Sequence, residues 1–177
     1  LAQCGVTALP QGMEIVHTTQ EVTMEDDPAT VFRRKKDTSM GVGLTMLRDG
    51  QGDAFISAGS TGALLTGATL ITKRIRGIRR AAMAPVMPTT TGRCVLIDCG
   101  ANAECTPEYL LQFAYLGSFY ASRVLGIEKP RVGLLNIGVE EEKGTDLQRQ
   151  TRQLLERQTR LHFIGNIEAK EAVKGGC

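Results

Sequence analysis

The turn at residues 98–105 has the residue types and the position of a ligand-binding turn. It contains acidic, amide and thiol side chains around Gly100, and it follows the apolar run 94–97, which predicts a buried strand. Thr106 and Pro107 then give the signals of a helix start. The carboxyl ends of strands bind ligands in open α/β sheets, and the N–H groups at a helix start favour anions. We therefore predict that this turn binds an anionic ligand.

A second turn, at residues 57–62, has the composition of a phosphate cradle. Its glycines would let backbone amides approach a ligand, and hydroxyl side chains flank them. It has neither the lysine of a Walker motif nor the spacing of a dinucleotide-binding motif, so a plain tight turn explains it equally well. Polar, glycine-containing turns also follow the predicted strands Arg131–Leu135 and 161–164. Because right-handed crossovers place such turns along one edge of a parallel sheet, the four turns predict one shared cleft.

Strands and helices are predicted to alternate around these turns. Short apolar runs predict strands at 13–17, 54–56, 82–86, 94–97, Arg131–Leu135 and 161–164. Start signals and helical spacing predict helices that open at 26–28, at 39, at 63, at 107 and after Thr145, which forms a capping box with Gln148. This order predicts an α/β fold with an open, mostly parallel sheet and helices on both faces. We expect a single domain over residues 1–177.

The composition limits the classes of partner. A net charge of only +2 over 177 residues does not argue for nucleic acid, and no apolar run reaches the ~18 residues of a transmembrane helix. The five cysteines include no Cys-x-x-Cys pair, which favours reduced, partly buried thiols in a cytoplasmic protein over a metal site. We expect neither a metal nor a cofactor.

Nine of the 21 lysines and arginines lie in two clusters, at residues 33–36 and 73–80. A solvated helix face accounts for such a cluster about as well as a binding surface for phosphate or an acidic partner. The candidate binding residues in the two clusters are Arg33, Arg34, Lys36, Arg76 and Arg79.

Five segments of the chain resemble those of the bacterial phosphate acyltransferase family, PlsX. In chain order they are RRKKDTSM from Arg33, SAGSTGALL from Ser57, DCGANAECTPEYLLQFA from Asp98, RVGLLNIGVEEEKGT from Arg131 and FIGNIEA from Phe163. The resemblance implies an enzyme that makes acyl phosphate from inorganic phosphate and a fatty acyl thioester on acyl carrier protein. It also implies a fold similar to those of phosphotransacetylases and isocitrate dehydrogenase-like enzymes, and a homodimer.

The same resemblance bears on the extent and location of the protein. It implies that this sequence is a fragment, because family members begin with a further strand and continue past Cys177 with helices implicated in dimer and membrane contacts. We therefore expect a cytoplasmic protein with peripheral association at the inner face of the membrane. There its product would feed a membrane glycerol-3-phosphate acyltransferase in phospholipid synthesis.

The implied reaction is acyl transfer from a thioester to phosphate, which is already nucleophilic near neutral pH. Phosphate must be held against the carbonyl carbon, and the tetrahedral oxyanion needs preorganised donors. The implied catalytic residues are Asn102 and Asn136 as oxyanion donors, Lys143 to neutralise phosphate, and Asp98 to orient donors or accept a proton. For Asp98 and the asparagines, bonds that merely stabilise the turns are the alternative. The implied phosphate-binding residues are Ser57, Gly59, Ser60, Thr61, Gly62, Gly100, Gly138 and Asn166.

Two other functions remain open from the sequence. The chain could be a phosphotransacetylase-like transferase that uses a coenzyme A thioester, or a docking module without activity that binds acyl carrier protein or a membrane. The basic clusters fit docking of an acidic carrier in either case, but a docking module would leave the four polar turns unused. A dehydrogenase of the related fold lacks support, since no G-x-G-x-x-G motif follows a strand.

Overall fold

The computed structural model describes residue 5 and residues 7–177. It is a mixed α/β structure that divides into two compact units, Leu1–Lys73 and Arg74–Cys177, and each is described by itself. The prediction of a single domain stays a prediction. Among the described residues, no helix combines the length and the hydropathy needed to cross a bilayer.

The first unit is built from helices. These are α1 (Val31–Arg34), α2 (Ser39–Arg48) and α3 (Thr61–Gly67), which runs into a π-helical segment at Ala68–Thr72. The α2 helix begins where predicted because the Thr38 hydroxyl accepts a hydrogen bond from the Gly41 N–H at 3.1 Å. The core of the unit joins α1, α2 and α3 through Val31, Met40, Leu44 and Ala63.

The second unit contains two separate pairs of strands. Strands β1 (Val86–Thr89) and β2 (Gly92–Val95) form an antiparallel hairpin, whereas β3 (Arg131–Leu135) and β4 (His162–Ile167) are parallel. The helices are α4 (Pro107–Arg123), α5 (Asp146–Glu156) and α6 (Ala169–Val173). A core of Ala114, Leu155 and Leu161 packs α4 and α5 against the β3–β4 pair.

Three of the five predicted helices begin where expected. The helix predicted to open at 26–28 begins only at Val31, and the helix predicted to open at 63 begins at Thr61. Pro107 is the first residue of α4 after Thr106, and the reciprocal capping box of Thr145 and Gln148 is present at the start of α5. The predicted strand Arg131–Leu135 and the predicted helix Ser39–Arg48 have the expected bounds.

Two predicted strands are absent from the described part of the chain, and three others have different bounds. Residues 13–17 form no strand; Met13 and Ile15 are 62% and 61% exposed, and no second strand pairs with them. Residues 54–56 are also irregular, because Phe55 is held by packing on the helical core while Ile56 is 94% exposed. The run at 82–86 enters its strand only at Val86, and the run at 94–97 leaves its strand after Val95. The strand predicted at 161–164 extends from His162 to Ile167, so Gly165 and Asn166 lie in β4 and not in the turn predicted to follow it.

The connection between β1 and β2 explains why the first strand pair is antiparallel. Only Thr90 and Thr91 separate Thr89 from its partner Gly92, and so short a connection can only reverse the chain. The β3–β4 pair is parallel because α5 provides the crossover between its strands. Among the described residues, the predicted parallel sheet is thus visible only in this short pair.

Candidate active site

Asp98 organises the turn that follows β2. Its Oδ1 accepts hydrogen bonds from the backbone N–H groups of Met83 at 2.9 Å and Ala101 at 3.1 Å. Its Oδ2 accepts from the backbone N–H and the Nδ2 of Asn102, at 2.7 and 2.9 Å. One carboxylate therefore accepts three hydrogen bonds from its own turn and one from Met83, in the segment before β1.

The same contacts set the charge of Asp98. Burial by itself would raise the pKa of this carboxyl, but the hydrogen bonds from Met83, Ala101 and Asn102 together lower its pKa below the ordinary value. The group is thus a carboxylate at neutral pH, with both oxygens engaged. Of the two roles predicted for Asp98, this arrangement favours the orientation of donors over the acceptance of a proton.

Asn102 is held within the turn by both hydrogens of its amide. One hydrogen goes to Asp98 and the other to the backbone oxygen of Ala81, at 2.9 Å. The side chain therefore stabilises the turn in the way that the alternative interpretation proposed, and its role as an oxyanion donor stays a prediction. The neighbouring Gly100 has φ of +120°, a conformation that side chains disfavour, so glycine is required here by the shape of the turn.

Asn136 closes the loop that follows β3. Its backbone N–H donates to the Ile167 oxygen at 2.9 Å, which extends the β3–β4 ladder by one bond. Its Oδ1 accepts from the Ile137 N–H at 2.8 Å, and its Nδ2 donates to the Lys143 oxygen at 3.0 Å. Within the described part of the chain this is the one hydrogen bond of Nδ2, so its second hydrogen is available to a ligand. Asn136 thus combines a structural role with the free donor that an oxyanion site needs.

Lys143 lies in the same loop with its charge unpaired. The aliphatic stem of Lys143 lies beside Gly138, where Cγ would be 3.1 Å from a Cβ added to the glycine. Across residues 5 and 7–177, no ion pair includes Lys143, even though Glu140, Glu141 and Glu142 precede it. An exposed, unpaired ammonium on a fixed loop is suited to binding an anion.

Asn166 supports this loop from β4. The residue is only 8% exposed, and its Nδ2 donates to the backbone oxygen of Glu140 at 2.7 Å. The phosphate-binding role predicted for Asn166 stays a prediction, whereas its contact is with the loop that carries Lys143. Sequence reasoning missed a second support: Arg149 of α5 donates to the Gly144 oxygen at 2.7 Å. The signal for Arg149 was its place one helical turn beyond the capped start of α5.

The turn at 57–62 belongs to the first unit, and its hydroxyl groups shape the turn itself. The Ser57 hydroxyl accepts from the Gly59 N–H at 3.1 Å, and the Ser60 hydroxyl caps α3 by accepting from the Ala63 N–H at 3.4 Å. Gly62 is needed for packing, because an added Cβ would stand 2.9 Å from Pro28. Thr61 is the first residue of α3. Binding of phosphate by this turn, and the cleft that it would share with the turns of the second unit, stay predictions.

The first basic cluster presents three of its four charges to solvent. Arg33, Arg34 and Lys36 are exposed, whereas Lys35 forms an ion pair of 2.7 Å with Asp26. The exposed charges are therefore available for a partner, as the docking hypothesis requires.

The second basic cluster is fixed to α4 by one glutamine. The Gln112 side chain accepts from the Arg79 N–H at 2.9 Å and donates to the Gly77 oxygen at 3.2 Å. The side chains of Arg76 and Arg79 are exposed, and Arg80 lies over the Tyr109 ring with its guanidinium carbon 5.7 Å from the ring centre. A surface loop that is anchored in this way presents its charges in a defined place.

Comparison with known proteins places the chain in a family. Residues 5–177 match the sequence model of a family described as "Fatty acid synthesis protein". The chain is 47% identical over 165 residues to a phosphate acyltransferase of Thermoanaerobacterium thermosaccharolyticum, covering 93% of this chain and 49% of that protein. It is 50% identical over 163 residues to a phosphate acyltransferase of Alkaliphilus oremlandii, covering 92% and 48%. A third phosphate acyltransferase, from Caldanaerobacter subterraneus, is 42% identical over 173 residues, covering 98% and 52%.

The chain thus spans about half the length of the curated relatives that it matches. The match to the family, in contrast, extends over all of the described residues. The chain belongs to the fatty acid synthesis protein family.

Proposed function

We propose that this chain carries part of the active site of an acyltransferase that makes acyl phosphate. The acyl group would come from a thioester on acyl carrier protein, and the acceptor would be inorganic phosphate. The observation that carries the proposal is the loop from Asn136 to Lys143, at the carboxyl end of a parallel strand. Among the described residues, this loop holds an amide hydrogen and an ammonium that have no partner. The three relatives named phosphate acyltransferase support the same reaction.

The proposed step forms one bond and breaks one bond. A phosphate oxygen attacks the thioester carbonyl carbon, the tetrahedral oxyanion collapses, and the carbon–sulfur bond breaks to release the carrier thiolate. The proton of the attacking hydrogenphosphate passes to that thiolate, which gives acyl phosphate and the carrier thiol. Lys143 would lower the repulsion that a dianionic phosphate meets, and the free hydrogen of Asn136 would stabilise the oxyanion. Asp98 would keep its turn in place without exchanging a proton.

The finer architecture is proposed together with the function. The β3–β4 pair would belong to an open, mostly parallel sheet with helices on both faces, as in phosphotransacetylases. Such sheets bind their ligands beyond the carboxyl ends of the strands, which is where Asp98 and Asn136 lie.

Mass spectrometry of the reaction product tests the function directly. The full-length protein is mixed with phosphate and acyl-loaded carrier protein, and in parallel with phosphate and the same acyl group on coenzyme A. We expect acyl phosphate to form faster from the carrier thioester. Equal or faster formation from coenzyme A would favour the phosphotransacetylase-like alternative, and formation of no product from either thioester would favour a docking module.

We propose that the basic clusters steer the acidic carrier protein toward the site. Reversal of charge at Arg76 and Arg79, or at Arg33 and Arg34, is expected to raise the apparent KM for the carrier while the KM for phosphate changes little. Exposed charges act over a distance that salt shortens, so the effect should fade as ionic strength rises. Steady-state kinetics at low and high salt measures both constants.

The matched control reverses two exposed arginines outside the clusters, Arg157 and Arg160, which changes the net charge equally. If the KM for the carrier rises as much in the control, the net charge and not the position of the clusters causes the rise. Wild-type values after reversal of each cluster would remove both clusters from docking. A raised phosphate KM after reversal of Arg33 and Arg34 would instead assign that cluster to phosphate.

We also propose that the protein is a cytoplasmic homodimer that associates peripherally with the inner face of the membrane. The family resemblance motivates this proposal, and a membrane glycerol-3-phosphate acyltransferase would then receive the acyl phosphate. Sedimentation of the full-length protein at micromolar concentration tests the dimer.

A further inference from the structure

Arg152 connects α5 to the loop that carries Lys143. Its side chain is only 14% exposed, and its guanidinium pairs with two carboxylates, from Nη2 to Glu141 Oε1 at 2.9 Å and from Nε to Glu156 Oε1 at 2.8 Å. Its Nη1 lies against β4, where it would be 3.4 Å from a Cβ added to Gly165. A planar guanidinium with contacts on these sides has a defined position, so it also defines the position of the Glu141 carboxylate.

Glu141 has no other anchor within the described part of the chain. Its side chain is 79% exposed, and the ion pair with Arg152 is the one that it forms there. Only one residue separates Glu141 from Lys143, and the chain turns at this point, because the Lys143 N–H donates to the Glu140 oxygen at 3.2 Å. A carboxylate released from Arg152 would therefore move beside an ammonium that has no other partner among these residues.

We propose that Arg152 is a positioning residue that keeps the Lys143 ammonium free for phosphate by holding Glu141 away from it. The inference rests on the proposed function, in which Lys143 binds phosphate. A carboxylate and a phosphate compete for the same ammonium, since both are anions that accept its charged hydrogen bonds. A carboxylate without its arginine would also repel the incoming phosphate.

The contacts of the loop separate this electrostatic role from a structural one. Asn136, Arg149 and Asn166 donate to backbone oxygens of the loop at 3.0, 2.7 and 2.7 Å. Arg152 bonds instead to a loop side chain, and no hydrogen bond from it to a loop backbone oxygen is present among the described residues. Removal of its guanidinium should therefore release a charge while the bonds that shape the loop remain.

The substitution Arg152→Met keeps the aliphatic stem and removes the charge. In the full-length protein, the KM for phosphate should rise about two- to fivefold, the range for gaining an exposed ion pair. The kcat should keep its wild-type value, because saturating phosphate displaces the carboxylate from Lys143. Addition of Glu141→Gln should return the KM for phosphate to the wild-type value, because the competing charge is then absent. Steady-state kinetics measures both constants.

The matched control is Glu156→Gln in the Arg152→Met background. It neutralises the other partner of the same guanidinium and changes the net charge equally, so it should leave the KM for phosphate raised. Equal rescue by the two glutamine changes would overturn the inference in favour of net charge. A wild-type KM in Arg152→Met, a fall in kcat alone, or no rescue by Glu141→Gln would also overturn it. If Arg152→Met does not fold, Arg152→Gln provides the same comparison.

Chemical labelling tests the inference without catalysis. Acetic anhydride modifies free amines, and mass spectrometry compares Lys143 with Lys129, which is exposed and forms no ion pair among the described residues. An ammonium beside a carboxylate gives up its proton less readily, so it reacts more slowly. We expect slower labelling of Lys143 in Arg152→Met and the wild-type rate after addition of Glu141→Gln.

The labelling result distinguishes failure of the inference from failure of the proposed function. If the wild type makes no acyl phosphate, the proposed function fails, and the labelling rates alone decide whether Arg152 keeps the ammonium free. Equal labelling of Lys143 in the wild type and both variants would overturn the inference, whether or not the protein is an acyltransferase.

Discussion

Replacement of Asn136 by alanine is expected to lower the turnover of the full-length protein by ~10²-fold or more, the scale of losing an oxyanion donor. The free hydrogen of Nδ2 would act in the transition state and not in the ground state, so kcat should fall while the KM values change little. Steady-state kinetics with carrier thioester and phosphate measures kcat and both KM values.

Asn136 also holds its loop, and a matched variant separates the two roles. Asn166→Ala removes a different bond to the same loop, the 2.7 Å contact with the Glu140 oxygen. If Asn136 contributes only by holding the loop, both variants should lose similar turnover. A loss of turnover confined to Asn136→Ala would identify Asn136 as an oxyanion donor. Unchanged turnover in a folded Asn136→Ala variant would remove this residue from the mechanism.

Lys143→Ala should lower turnover by a comparable ~10²-fold, for an electrostatic reason. The ammonium is unpaired within the described residues, so its removal leaves no internal partner stranded and should not destabilise the fold. Lys143→Arg keeps the charge and should recover part of the activity, whereas a neutral isostere such as Lys143→Met should not. Equal activity in the arginine and methionine variants would contradict a role for the charge.

The local signals in the sequence predicted the helix starts better than they predicted the sheet. Thr145 and Gln148 mark a helix start through a capping box, and Pro107 fits the first helical position through its own backbone, so a single sequence contains all the information. The positions of Asp98 and Asn136 at strand ends followed from the apolar runs that precede them. Their partners did not, because Met83 and Ala81 reach Asp98 and Asn102 through backbone groups that any residue could provide.

The predicted strands that the described structure lacks have a different cause. The run at 13–17 is apolar enough for a strand, but a strand is stable only when a second strand satisfies its N–H and C=O groups. No periodicity within the run reveals whether that partner exists. The antiparallel pairing of β1 with β2 was missed for a related reason: neither the run at 82–86 nor the run at 94–97 indicates which strand it pairs with, and only the paired register shows the hairpin.

Asp98→Asn is expected to destabilise the protein by about 2 kcal/mol near neutral pH, the order of one hydrogen bond to a charged group. Asparagine can keep the bonds from Met83 and Ala101 with its Oδ1, but its amide group then faces the two donors of Asn102. Two donors cannot bond to each other, so the turn must shift. A shift of ~1 Å at an active-site turn commonly lowers turnover by ~10²-fold, and we expect a loss of that size here.

The stability difference should depend on pH in a defined direction. Folding lowers the pKa of Asp98 from its ordinary value of 3.8, so the folded protein binds this proton less readily than the unfolded chain does. The stabilisation is therefore complete at pH values above the ordinary pKa of 3.8. It is lost as the pH falls through 3.8 toward the lower pKa of the folded state. Asparagine does not titrate, so the difference in free energy of unfolding between wild type and variant should be largest near neutral pH and smaller in acid.

Urea unfolding of both proteins near pH 7 and again near pH 3 measures this difference, with Asp53→Asn as the matched control. Asp53 is exposed and has no side-chain hydrogen bond within the described part of the chain, so its variant removes a carboxylate without disturbing a turn. We expect Asp53→Asn to follow the wild type at both pH values. A difference for Asp98→Asn that stays constant from neutral to acid would mean that the ionised carboxylate does not stabilise the turn. Asp98 would then act through its shape alone, and its four hydrogen bonds would contribute no more than those of a neutral side chain.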